Sequence, residues 1–261
     1  MLSRNSLLLD QFYTKRTVAL DLYSKFNAIV LSNGFTNNDW LEPSAGGGAF
    51  YDLMPNNKLG LDLDVKINGV IKADFMEYHL IKNDYIVLGN PPFGKNSSLA
   101  VKFFNKCAQH AVIIGFVVPK TFKKDSLKNK LDRNFHLIFE EDLSKNSFEL
   151  DGKEYDVPCV FQVWLKKENL RELALKTFTH NDFTFVEKSE ADFAIQRVGV
   201  AAGKVKIDFE KYAVASHYFI KANEKVRKVF EKINWSSVKG NTAGNPSISK
   251  SELINLYNQN K

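Results

Sequence analysis

Asp84-Tyr85-Ile86-Val87-Leu88-Gly89-Asn90-Pro91-Pro92-Phe93 is the stretch that decides the fold. Its apolar run between turn formers is the pattern of a central parallel strand buried on both faces. A proline cannot donate to a sheet ladder, so the strand must stop at Asn90. An amide side chain, a rigid backbone and a flat ring therefore gather at the strand's C-terminal end. In open α/β sheets that is the edge where ligands bind.

Working outward, 261 residues suit one large domain or a domain with a small appendage. A hydrophobic fraction of 44% with 21 Phe supplies an ordinary globular core. No apolar run is long enough to span a membrane, and Met1-Leu2-Ser3-Arg4-Asn5 lacks the layout of a signal peptide. Cys107 and Cys159 make neither a disulfide framework nor a metal cluster, and both read as buried thiols. The expectation is a cytoplasmic protein with no metal and no membrane partner.

The net charge of +6 is unevenly placed. Residues 1–165 carry 19 Lys/Arg against 19 Asp/Glu, whereas residues 166–261 carry 17 against 11. A second basic run, Lys95 to Arg133, has nine cations and only Asp125 and Asp132. Two basic segments flanking a ligand-binding edge suit a polyanionic partner.

Near the start, Val18, Ala19, Leu22, Tyr23 and Phe26 have helical spacing, with Thr14 or Thr17 available as a cap. Next comes Trp40-Leu41-Glu42-Pro43-Ser44-Ala45-Gly46-Gly47-Gly48-Ala49-Phe50, a short strand that meets three glycines, with a helix expected from Ala49 to Met54. Glycines there let the backbone turn tightly and approach a ligand. Glu42 argues against a phosphate loop, as does the lack of a following Lys-Ser/Thr pair. An acid at this turn suits a cation such as an amino acid's ammonium group. In Leu59-Gly60-Leu61-Asp62-Leu63-Asp64 an acid ends the second strand, where ribose hydroxyls are bound in doubly wound sheets. Asp62 is the preferred residue of the two. A third strand, Gly69 to Phe75, ends with Asp74, placed to accept from an adenine amino group with Phe75 against the ring. Each acid alone fits a turn or a cap equally well. Together they describe an adenosine with a cationic amino-acid tail.

The ordered set Glu-Pro-Ser-Ala-Gly-Gly-Gly-Ala-Phe, Asp62, Asp74 and Asn-Pro-Pro-Phe resembles the gamma-type amino-methyltransferases that modify adenine in DNA. The resemblance covers about residues 9 to 165. It implies S-adenosyl-L-methionine as cofactor, bound by Tyr13, Thr14, Glu42, Pro43, Ser44, Ala45, Gly46, Gly48, Asp62, Leu63, Asp74, Phe75 and Asn90. Asp10 to Thr17 looks like the family's leading motif, which packs on the methionine end. The catalytic residues it implies are Asn90, Pro91, Pro92 and Phe93. Phe148 is the nearest match to an aromatic placed beside the target base, and a core phenylalanine suits that position as well. Lys95 and Lys120 are candidates for holding the substrate.

Beyond Phe93, a helix over Ser97–Ala111, a strand over Ala111–Pro119, a basic helix over Lys123–Arg133 and strands at Phe135–Phe139 and Cys159–Leu165 continue the alternation. A turn is expected at Asp151-Gly152. The sum is a doubly wound, Rossmann-like α/β sheet over 1–165, followed by a small basic recognition subdomain over 166–261. In that second part Phe183–Val186, Phe193–Val198 and Lys204–Phe209 read as strands, and Phe219–Ile233 reads as a basic helix.

The function expected from the resemblance is methyl transfer to the 6-amino group of adenine in DNA. The base would be flipped out or single-stranded, and no nuclease domain accompanies it. Adenine in RNA and a protein glutamine amide suit the same acceptors. Phe93 instead of Tyr leans away from the glutamine enzymes, and Asn90 instead of Ser leans away from cytosine. A catalytically silent nucleic-acid-binding module is the alternative from another class.

Overall fold

The computed structural model describes residues 12–150, 152–242 and 244–261, so Asp10, Asp151 and Ala243 lie outside the described residues. The chain divides into two compact units, Met1–Leu173 and Ala174–Lys261.

The first unit is a Rossmann-like α/β fold around a seven-stranded sheet. Its strands are β2 (Trp40–Glu42), β3 (Lys58–Asp62), β4 (Val70–Lys72), β5 (Tyr85–Gly89), β6 (Ala111–Pro119), β7 (Phe135–Asp142) and β10 (Cys159–Lys166). They lie in the order β4-β3-β2-β5-β6-β10-β7. The pairs from β4 through β6 are parallel, and β10 runs antiparallel to both neighbours. All five residues of β5 are buried, as expected of the central strand, and Asn90 follows its end. Between β2 and β5 the strand order reverses, which opens a crevice at their C-terminal ends.

Both faces of this sheet are covered. Along β6, Ile113 and Val117 point into a core shared with α1 (Arg16–Ser32), which buries Ala19, Leu22, Phe26 and Val30. Ile114, Phe116 and Val118 point the other way, into a core shared with α2 (Ser98–Ala108). At Gly115 a Cβ would come within 2.7 Å of the Phe26 ring, so glycine lets α1 lie close to the sheet. Burial pushes the Cys107 and Cys159 thiols up, one in each core.

Several local expectations change. Lys15 is the N-cap of α1 and makes no side-chain cap bond, so neither Thr14 nor Thr17 caps it. The helix expected after the glycines is one 3-10 turn, Tyr51–Leu53. The basic helix expected over Lys123–Arg133 shrinks to Asp125–Lys128, because Asp132 accepts from the Asn134 amide and ends the segment in a turn. A separate small sheet forms from β1 (Tyr13–Thr14), β8 (Phe148–Leu150) and β9 (Lys153–Tyr155), with Thr14 opposite Phe148. The unit extends past β10 because the Arg171 guanidinium donates to the Lys128 and Phe135 carbonyls.

The second unit is an antiparallel sheet of β11 (Thr184–Phe185), β12 (Phe193–Gln196), β13 (Val205–Lys206) and β14 (His217–Lys221), in the order β11-β14-β12-β13. Helices α3 (Glu224–Lys232) and α4 (Lys250–Asn260) close its core around Phe193, Phe230 and Leu253. The expected basic helix Phe219–Ile233 is thus strand through Lys221 and helix only over Glu224–Lys232. Asn223 breaks it by accepting from the Val226 amide as the cap of α3. Among the described residues no helix is long and apolar enough to cross a membrane.

Candidate active site

A cavity of ≈ 310 Å³ opens at the crevice between β2 and β5. That is at the lower end of the range for small-molecule sites, about 300–1,000 Å³. Tyr13, Thr14, Glu42, Pro43, Ser44, Ala45, Gly46, Asp62, Leu63, Asp74, Phe75, Asn90 and Pro92 all line it. Residues spread over more than seventy positions converge because each lies at a strand end or in the loop that follows it.

The glycine turn is shaped from both sides. Gly46 has φ +52°, and a Cβ there would sit 2.8 Å from the Tyr13 ring, so both its conformation and its neighbour require glycine. The Gly46 amide donates to Asp62 Oδ2 at 2.7 Å, and the Asp64 amide donates to Oδ1 at 2.8 Å. Asp62 is therefore held by backbone donors and is oriented before any ligand arrives. Gly48 helps turn the loop but does not line the cavity; its carbonyl and that of Ala49 accept from Arg16. Asp74 is fixed by the Met76 amide on Oδ1 at 2.8 Å. Phe75 is buried and packs on Phe103 with centroids 5.0 Å apart.

Three acceptor atoms on this wall have no partner among the described residues: Thr14 Oγ1, Glu42 Oε2 and Asn90 Oδ1. Leaving such an atom buried and unpaired costs about 1–3 kcal/mol, and buried polar groups are paired as a rule. Glu42 is 2% exposed. Burial pushes its carboxyl well above the usual range, the Tyr51 backbone hydrogen bond pulls it back in part, and the neighbouring Asp62 and Asp52 raise it further. Asn90 Nδ2 donates to the Phe12 carbonyl at 2.9 Å, which turns Oδ1 away from that carbonyl. Ser44 Oγ donates to the Asn90 carbonyl at 3.2 Å.

Not every expected site residue joins this wall. Pro91 is buried outside the cavity lining, and no backbone amide of the described residues donates to its carbonyl. Phe93 is half-buried against the α1 side of the core, and its carbonyl accepts from the Leu99 and Ala100 amides at the start of α2. Phe148 is fully buried in that same core, so it is a packing residue and not an aromatic open to a target base. Pairing β8 with β1 turns its ring inward. Lys120 is tied to Asp142 at 3.0 Å, and Lys123 bridges the same carboxylate at 2.5 Å. Lys128 reaches Glu140 at 3.6 Å, and Lys106 donates to the Met76 and Tyr78 carbonyls. Four of the nine cations of the basic run are thus paired within the unit. Lys95 is exposed.

Phe12, Met76, Leu99 and Phe103 also line the cavity and were not singled out from sequence. Leu99 and Phe103 carried a signal: their i, i+4 spacing directly after the motif puts them on one face of α2.

The donor set fits S-adenosylmethionine. Its ammonium, ribose hydroxyls and adenine amino group all offer hydrogens, which the oxygens of Glu42, Asp62 and Asp74 could accept. Phe75, Leu99 and Phe103 supply apolar surface for a purine.

No family model matches the chain. It is 30% identical over 174 residues to the Arabidopsis thaliana protein ENHANCED DOWNY MILDEW 2, a stretch that is 64% of this chain and 12% of that protein. The chain thus spans only a small part of that relative's length. Among solved structures it is similar to a Pyrococcus horikoshii protein assigned as an RNA methyltransferase, at 16% identity and TM-score 0.47. That match covers 61% of this chain and 88% of the other. It is also similar to the 23S rRNA methyltransferase ErmE, at 13% identity and TM-score 0.41, covering 60% of this chain and 71% of that one.

Proposed function

We propose that the protein is an S-adenosylmethionine-dependent methyltransferase acting on the 6-amino group of adenine in DNA. The observation that carries this reading is the set of buried acceptors with no partner among the described residues, Thr14 Oγ1, Glu42 Oε2 and Asn90 Oδ1, on the wall of one cavity at the sheet's switch point. DNA as the substrate rests on the motif resemblance and on the cationic excess of residues 166–261.

When bound, the cofactor supplies an electrophilic methyl group on a sulfonium. Glu42 meets its ammonium group, and the ion pair formed there offsets the cost of ionising a buried acid. Asp62 accepts from ribose hydroxyls while its two backbone donors hold it still. Asp74 keeps one carboxylate oxygen for the adenine amino group.

The target amine is a poor nucleophile because its lone pair is delocalised into the purine. Asn90 Oδ1 and the Pro91 carbonyl each accept one of its hydrogens. That draws the nitrogen towards tetrahedral geometry and frees the lone pair for the methyl group. The Pro91-Pro92 pair restricts the carbonyl, so little reorganisation is needed at the moment of reaction. After transfer the cationic nitrogen gives its proton to solvent. Phe93 stacks on the base, a contact worth about 1–3 kcal/mol. A base inside a duplex cannot reach such a pocket, so the target is flipped out or unpaired.

One observation favours a second reading. With Lys120, Lys123 and Lys128 neutralised by Glu140 and Asp142, the first unit gives less reason to prefer a polyanion, and a protein amide suits the same acceptors. Labelled cofactor incubated with separate pools of duplex DNA, single-stranded DNA, RNA and protein decides among them. Label on adenine N6 in DNA is the expected result. Label in protein alone would overturn the assignment of substrate, and label in RNA alone would move the target from DNA to RNA.

A further inference from the structure

We infer that the strap Phe12–Lys15 is a positioning element that sets which way the Asn90 amide faces, so that the strap covering the cavity also presents the acceptor oxygen. This rests on the methyl-transfer reading for its consequence, but its geometry stands apart from that reading.

An asparagine side chain has two faces of nearly equal shape, one donating and one accepting. What tells them apart at Asn90 is the Phe12 carbonyl, which accepts from Nδ2 at 2.9 Å. Reversing the amide would set oxygen against oxygen and turn the donor towards the position where the target's own amino hydrogens must be accepted. Oδ1 has no partner of its own among the described residues, so it does not hold the orientation.

The Phe12 carbonyl is in turn held by its neighbours in the strap. Tyr13 and Thr14 pair with Glu149 and Phe148 of β8, and the Lys15 amide donates to the Ser147 carbonyl at 3.0 Å. Lys15 also pairs with Glu154. The Tyr13 ring lies over Gly46, and its hydroxyl accepts from Lys66 Nζ at 2.7 Å. Lys66 lies outside the cavity lining, so it can be changed without touching the ligand surface. The strap lines the cavity too, and Thr14 Oγ1 is one of its orphaned acceptors. A ligand that engages Thr14 therefore grips the strand two residues from the carbonyl that orients Asn90.

Two measurements test this. In protein with ¹⁵N-labelled asparagine, the Asn90 side-chain amide protons should be protected from solvent exchange. Lys66→Met and Tyr13→Phe should each speed that exchange about tenfold, the loss of one hydrogen bond. Unchanged exchange in both variants would overturn the inference, whether or not the protein transfers methyl groups. The second measurement is the pH profile of Asn90→Asp. A protonated carboxyl can still donate to the Phe12 carbonyl and offer its other oxygen, whereas a carboxylate meets that carbonyl with a lone pair. Glu42, Asp62 and Asp74 are present in both proteins, so the quantity to follow is the ratio of variant to wild-type rate. It should fall at least about tenfold as pH rises through the new carboxyl's range. A flat or rising ratio would overturn the orienting role. Absence of transfer by the wild type to every acceptor would sink the reaction assignment, and the exchange measurement would then decide the strap by itself.

Discussion

Two polar regions of the first unit differ in charge and, in the opposite sense, in how far their atoms are satisfied. The basic stretch from Lys95 to Arg133 is rich in cations, yet Lys106, Lys120, Lys123 and Lys128 are bound by carbonyls and carboxylates of the same unit. The cavity rim has few charges, yet Thr14, Glu42 and Asn90 keep buried acceptors without partners among the described residues. The first region has part of its charge already engaged within the unit. In the second, the fold carries an unpaid desolvation cost that a ligand with matching donors would relieve. Unsatisfied atoms, more than counted charges, locate the site.

The largest effect that could break this contrast is catalytic. Asn90→Ala should lower methyl transfer by about a hundredfold to a thousandfold, as losing one preorganised electrostatic partner does, and Pro91→Ala, which keeps the carbonyl and only frees the backbone that holds it, should lower it less. Cofactor affinity should change little, and titration calorimetry alongside turnover checks both halves.

Phe148→Ala sharpens the same contrast through stability. A fully buried phenylalanine removed from the core should cost about 3–5 kcal/mol. Chemical denaturation would show this as a lower midpoint, and a loss of target affinity without loss of stability would restore Phe148 to the base-binding role.

Glu42→Gln should act on pH. Burial raises the folded carboxyl above its unfolded value, so the folded state holds the proton more tightly. The contribution to stability is full below the unfolded pKa and is lost as pH rises through the folded one. The free protein's melting temperature should therefore decline with rising pH in this window, and Glu42→Gln should flatten that decline. Cofactor affinity runs the other way, since the ionised acid pairs with the ammonium: wild-type binding tightens as pH rises, and the variant's does not. Melting and binding curves followed from the ordinary glutamate range to higher pH check the two signs.

The smallest effect belongs to the basic stretch. Lys123→Met should change stability by no more than about 1 kcal/mol, the value of a surface ion pair. It should leave the salt dependence of nucleic-acid binding unaltered, whereas a free phosphate contact would reduce the slope by about one.

What the sequence made legible was whatever depends on strand ends. The run Tyr85–Gly89 stops where the prolines demand, and the acids of three strands meet at one edge because parallel strands share a direction. What it hid depends on pairing across long separations. Nothing local shows that β1 joins β8, which buries Phe148 and sets Phe12 against Asn90. Nor does a count of lysines reveal that Glu140 and Asp142, on β7, stand close to them. At Phe219–Ile233 the helical pattern was real only after Asn223, a capping residue whose signal the apolar spacing obscured.

Calorimetric titration of the protein with S-adenosylmethionine tests most directly whether Glu42, whose Oε2 has no partner among the described residues, marks a cofactor site. The expected result is saturable binding at one site, weakened about tenfold or more by Glu42→Gln, as for a lost hydrogen bond to a charged group, and nearly unchanged by Asn90→Ala. Absence of binding to the folded protein, or equal affinity in wild type and Glu42→Gln, would contradict it.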